Sequence, residues 1–149
     1  MAATIWDNAV RSSIAERAQR VTAQSMPQWG KFSASGMMAH ITDSLRMALG
    51  DLPVKSKNLP LRYKPIRHAI IYWLPMPKGA PTAPELIARS SRAVLEVEQR
   101  EFKALLDRLG GLSPGATMGE HPAFGDLSYE EYGVLIAKHT DHHLRQFGV

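Results

Sequence analysis

Among the six histidines of this 149-residue chain, His139 and His143 stand four residues apart. On a helix that spacing puts both imidazoles on one side, a turn apart, where they can reach a single ion. A wheel of about 100° per residue gathers Leu135, Gln146, His139, Tyr132, His143, Ile136 and Phe147 on one face of the segment from Tyr129 to Phe147. The two histidines occupy its centre. Burying both without a shared partner would cost about 1–3 kcal/mol for each unmet group, and a bound metal removes that cost. His142 falls on the flank beside Lys138 and Glu131, so it and Asp141 are expected at the surface or at a dimer contact.

The chain has no cysteine, which leaves His, Asp and Glu as the available metal ligands. His40 is the natural third ligand: on its own helix it lies at the edge of an apolar stripe, between Met37, Ser44 and Met47. Three histidines leave a coordination position open, as catalytic sites do, whereas structural zinc sites are closed by four protein ligands. Zinc, nickel, copper and iron all accept imidazole, so the ligands alone do not select among them.

Several other residues bear on such a site. Glu98 centres on the Val94, Phe102, Leu105 face of its helix, where a carboxylate needs a partner. It fits a general base, an acceptor for an imidazole N–H, a fourth ligand, or half of a buried ion pair with an arginine. Asp43 and Ser44, one turn from His40, could orient its ring, bind substrate or meet solvent. His68 and His121 read as structural. Trp29, Tyr132, Phe124 and Trp73 could line an apolar pocket or belong to the core.

Positioning these residues requires helices, and five fit the periodicity. The first covers about Trp6 to Thr22, with Val10, Ile14, Ala18 and Val21 inward. The second starts at Ser33 or Ser35 and stops at Gly50, burying Met37, Ile41, Leu45 and Ala48. A short third helix covers Tyr63 to Leu74, before a proline-rich loop. The fourth spans Pro84 to Leu109, with Val94, Leu95, Phe102, Leu105 and Leu109 inward. The last begins at the cap Ser128, with Glu131 in the capping-box position, and runs to Gln146 or Phe147. No segment alternates long enough for a strand, so the fold class is all-α.

With 44% hydrophobic and 21% charged residues, the composition is that of a globular protein, and the whole chain, residues 1–149, reads as a single domain. No apolar stretch approaches the ~20 residues of a membrane span, nor does the N-terminus resemble a signal peptide. The expectation is therefore cytoplasmic, with no membrane partner. The net charge of +4 raises nucleic acid as a partner, but Lys and Arg are scattered and no recognition motif is present, so none is expected.

MAHITDSL in the second helix and KHTDHHLRQFG in the last resemble the two metal motifs of DinB-like proteins, a superfamily of damage-inducible helical bundles. WGKFSASGMMAH and HPAFGDLSYEEYG extend the likeness over most of the chain, towards an uncharacterised subfamily. The resemblance implies a four-helix bundle with a long crossover connection, a His40, His139, His143 triad binding zinc or nickel, and a homodimer. Tyr132 replaces the usual tryptophan, and the short helix over Tyr63 to Leu74 is extra to the minimal bundle. Characterised members include thiol-dependent transferases and a thiol-dependent isomerase. A metal can deprotonate a coordinated thiol, and with no cysteine in the chain a low-molecular-weight thiol would arrive as cosubstrate. The leading reading is a metal-dependent transferase or hydrolase acting on a small molecule. The others are a non-catalytic protein stabilised by metal, and a metal-free, pH-responsive histidine cluster.

Overall fold

The computed structural model describes all 149 residues. Five α-helices form, α1 (Asn8–Gln19), α2 (Ala34–Ala48), α3 (Lys64–His68), α4 (Leu95–Gly110) and α5 (Tyr129–Gln146), and no strand. Local chemistry sets several ends. Asp7 caps α1 through Ala9 N, and Ser33 caps α2 through Gly36 N. Ser128 and Glu131 form the complete capping box expected at the start of α5.

The bundle is made by α1, α2, α4 and α5. Helix α2 packs on α4 and α5, and α1 lies against the same two helices. Their inner faces share one core that includes Ile14, Met37, Ile41, Leu45, Phe102, Leu106, Leu109, Leu135 and Leu144. The long crossover from α2 to α4 carries α3, which continues into a π-helical turn over Ala69–Trp73. Leu74 N bonds Ala69 O to close that wider turn, and Lys138 Nζ on α5 binds the carbonyls of Ile70 and Ile71 at 2.6 and 3.0 Å.

The expected start of the fourth helix at Pro84 is not observed. Residues Pro84–Leu86 and Ser90–Arg92 form separate 3-10 turns, α4 begins at Leu95, and Val94 is 55% exposed, not inward. Two tertiary contacts account for the break. The Leu86 carbonyl, which a continuous helix would bond to Ser90 N, instead accepts from His40; Ser90 N turns to Ile87 O. Arg89 is drawn towards two buried carboxylates on neighbouring helices. Helix α1 is likewise shorter than expected, because Asp7 serves as its cap and Trp6 stacks on Tyr129 with Nε1 donating to Tyr129 O.

One buried polar atom lacks a partner, the hydroxyl of Tyr132. An unmet buried hydroxyl costs about 1–3 kcal/mol. Tyr132→Phe is therefore expected to stabilise the fold by about 1 kcal/mol, raising the melting temperature by roughly 2–4 °C in differential scanning calorimetry. A fall would mean that the hydroxyl is engaged.

Candidate metal centre

Helices α2 and α5 bring His40, His139 and His143 together, with one ring nitrogen from each within 4.8 Å of the other two. His40 Nε2 and His139 Nε2 are 3.1 Å apart, and the His139 and His143 rings stand nearly perpendicular at 4.7 Å. His40 and His143 are buried; His139 is half-buried. Phe32 covers the group, with its ring 5.2 Å from that of His40 and 5.7 Å from that of His143.

The protein fixes two of the three tautomers. A carbonyl can only accept, so His40 Nδ1–H donates to Leu86 O at 3.0 Å, leaving the Nε2 lone pair free of a proton and facing His139 Nε2 at 3.1 Å. Gln146 Nε2 donates to Trp29 O, which turns Gln146 Oε1 towards His143; His143 Nδ1–H donates to it at 2.8 Å. Its Nε2 is likewise left free. Such contacts orient metal-binding imidazoles and raise their basicity. Gly30 makes the second possible: its φ of +77° suits glycine, and a Cβ there would stand 2.6 Å from Gln146 Nε2. His139 Nδ1 has no protein partner, so its tautomer is free to change when its Nε2 is needed as a ligand.

Burial lowers the pKa of all three rings. For His139, well below the usual value, the neighbouring imidazoles add to the effect, and His143 is pushed down to about 3 by burial and then by His40. Neutral imidazoles with free lone pairs and no cysteine nearby are a nitrogen donor set suited to a divalent metal. The residues present fit the ion.

Gln146→Ala removes the acceptor that holds His143 and is expected to weaken zinc binding 10–100-fold in competition with a chromophoric chelator. Unchanged affinity would deny Gln146 that role. Below about 6.5 the unfolded chain takes up protons that the buried rings refuse, so the metal-free fold loses stability as pH falls towards the low folded pKa values. His121, pushed down to about 4 by burial, acts in the same direction. Urea midpoints of metal-free protein should therefore be lower near pH 5 than near pH 7.

The remaining candidate residues are placed differently. Glu98 is buried with both oxygens on Arg89, at 2.6 and 3.1 Å, and is outside the histidine group. Asp43, also buried and not at the solvent, accepts from Arg89 at 3.0 and 3.1 Å and from Arg46 at 2.7 Å. Ser44 binds the backbone carbonyl of His40, not its ring. His142 corrects the surface expectation: it is buried, with its ring 5.3 Å from Trp29 and 5.2 Å from His143.

In its loop, His121 accepts from Ala123 N and Phe124 N through Nδ1. Tyr132 and Phe124 are core residues, while Trp73 is 74% exposed beside His68 and lines no pocket at the triad. Two surface clefts, of about 440 Å³ beside Lys64, Arg67, His68 and Glu131 and about 320 Å³ between α1 and α5, are lined by none of His40, His139 and His143. Sequence reasoning missed Phe32, Leu86, Arg89 and the role of Gln146. Only Gln146 had a readable signal, three residues from His143 on the same face.

A family model described as DinB superfamily matches residues 6–147. No curated protein and no solved structure matches the chain. The match includes all three histidines, and the chain belongs to the DinB superfamily.

Proposed function

We propose that this protein is a metal-dependent enzyme of the thiol-dependent transferase or hydrolase type, using zinc or nickel held by His40, His139 and His143. One observation carries the reading: three imidazoles converge, two of them with tautomers set by Leu86 and Gln146, and no fourth protein ligand joins them. Three protein ligands are what catalytic sites supply, whereas structural sites close with four. When bound, the cation supplies Lewis acidity, favouring the deprotonated form of a thiol or water that joins it.

The chain's own part is positional. Leu86 and Gln146 hold two ring planes, Phe32 shields the rings from bulk water, and His139 can exchange its proton between ring nitrogens. Glu98 does not fit as a free base, because Arg89 occupies both its oxygens. It acts with Arg89 and Asp43 to tie the crossover to α2 and α4. Homodimer formation and a cytoplasmic location belong to the same reading.

Metal-loaded protein and His143→Ala are compared on electrophiles with glutathione, bacillithiol or mycothiol, and on hydrolysable esters. Turnover that needs both metal and His143 supports the proposal. Metal binding without turnover on any of these would sink it in favour of a structural ion.

A further inference from the structure

Lys and Arg are scattered along the chain, but Asp and Glu are not. No acidic residue falls between Leu52 and Pro84, a stretch holding six Lys or Arg, and the rest of the chain carries more acidic than basic residues. The net charge of +4 therefore originates in the crossover. Arg67 is buried against Glu131, and Arg62 stands 3.8 Å from Glu120, but Lys55, Lys57 and Lys64 are exposed with no ion-pair partner.

The same segment exposes apolar side chains. Arg67 and Ile71 are the buried positions of α3 and its π-helical continuation, while Tyr63, Ile66, Ile70 and Trp73 around them are not buried. Tyr63 is 68% exposed and Trp73 74%; Ile66 and Leu74 are exposed beside them, and Ile70 is half-buried. Large exposed apolar groups clustered together mark a binding surface.

We propose that this face is a peripheral docking surface for an anionic phospholipid membrane. Tyr and Trp favour the level of the lipid headgroups, Ile66 and Leu74 are suited to the acyl boundary, and nearby lysines meet anionic headgroups. Charge weighs against a second copy: Asp126 and Glu131 line the cleft beside Lys64, but Glu131 is taken by Arg67 and Glu120 by Arg62, so two-fold pairing through this face would bring the unpaired Lys55, Lys57 and Lys64 of both copies together. Tyr63 and Trp73 could stack on bases, but the aliphatic Ile66, Ile70 and Leu74 beside them add nothing to such a contact and gain from an acyl boundary. No helix is long and apolar enough to cross a membrane, but that bears on spanning, not on contact from one side. The proposal thus revises the expectation of no membrane partner.

The full chain is floated with vesicles of phosphatidylcholine alone and of phosphatidylcholine mixed with phosphatidylglycerol. Binding to the mixed vesicles only is expected, with loss at high salt. Trp73→Ser with Tyr63→Ser should abolish it. Lys57→Glu and Lys64→Glu should each weaken partitioning at least about fivefold, and unchanged melting curves would show that the variants fold. Equal recovery with both vesicle types, or wild-type binding by the variants, would overturn the proposal. So would failure to float combined with a solution mass that halves on Trp73→Ser, which would assign the face to a second copy.

Discussion

Saturating metal-free protein with zinc, at about a hundred times the dissociation constant, is expected to raise its melting temperature by roughly 5–11 °C. At that excess a ligand bound only by the folded state adds about 2.7 kcal/mol, and each kcal/mol moves a chain of this size by about 2–4 °C. Alanine at His40, His139 or His143 changes the baseline stability too, so the measured quantity is the metal-dependent increment within each variant. That increment should vanish in all three single variants and persist in His142→Ala, whose ring is outside the group. An increment surviving in His40→Ala would remove α2 from the site. Zinc without effect on the parent protein would leave a metal-free histidine cluster.

Arg89→Met is expected to cost about 3 kcal/mol, a fall of roughly 6–12 °C. The side chains of Asp43 and Glu98 are 5% and 3% exposed, and Arg89 bridges them with four hydrogen bonds. Removing one partner of a buried pair typically costs about 3–5 kcal/mol because the other charge is left unpaired. The lower end applies here, since Arg89 itself is partly exposed and Arg46 still reaches Asp43. Adding Asp43→Asn and Glu98→Gln removes the stranded charges and should recover most of the loss. If Arg89→Met lies within about 1 kcal/mol of the parent in urea denaturation, the arginine does not hold the crossover in place.

The metal centre was legible where one helix supplied its own pattern. His139 and His143 sit on a period that any amphipathic helix displays, and Ser128 with Glu131 marks that helix's start in local chemistry alone. His40 was also recoverable, on a second amphipathic helix and through the motif MAHITDSL. The stretch from Pro84 to Val94 was not. Pro84, Glu85, Leu86, Ala88 and Arg89 all suit a helix, and what breaks it comes from elsewhere: the ring of His40 takes the Leu86 carbonyl, and carboxylates on α2 and α4 take Arg89.

The other misreadings share that cause. Glu98 on its wheel was a buried charge in need of a partner, with nothing to show which arginine would arrive. His142 looked like a flank residue because a wheel contains only its own helix, and the Trp29 loop that covers it belongs to another part of the chain. Periodicity describes one helix face; it says nothing of the irregular backbone laid over that face.

The bridging of α2 and α5 by the triad also has a consequence for the lifetime of the folded state. His40 precedes His139 by 99 residues, so no partly folded chain holds all three imidazoles until both helices have docked and the crossover has settled against His40. An ion captured at that last stage contributes little to the barrier on the way in and most of its free energy to the barrier on the way out. Loaded protein would fold at nearly the rate of the bare chain yet unfold far more slowly. The three histidines then work as a clasp on an already assembled bundle.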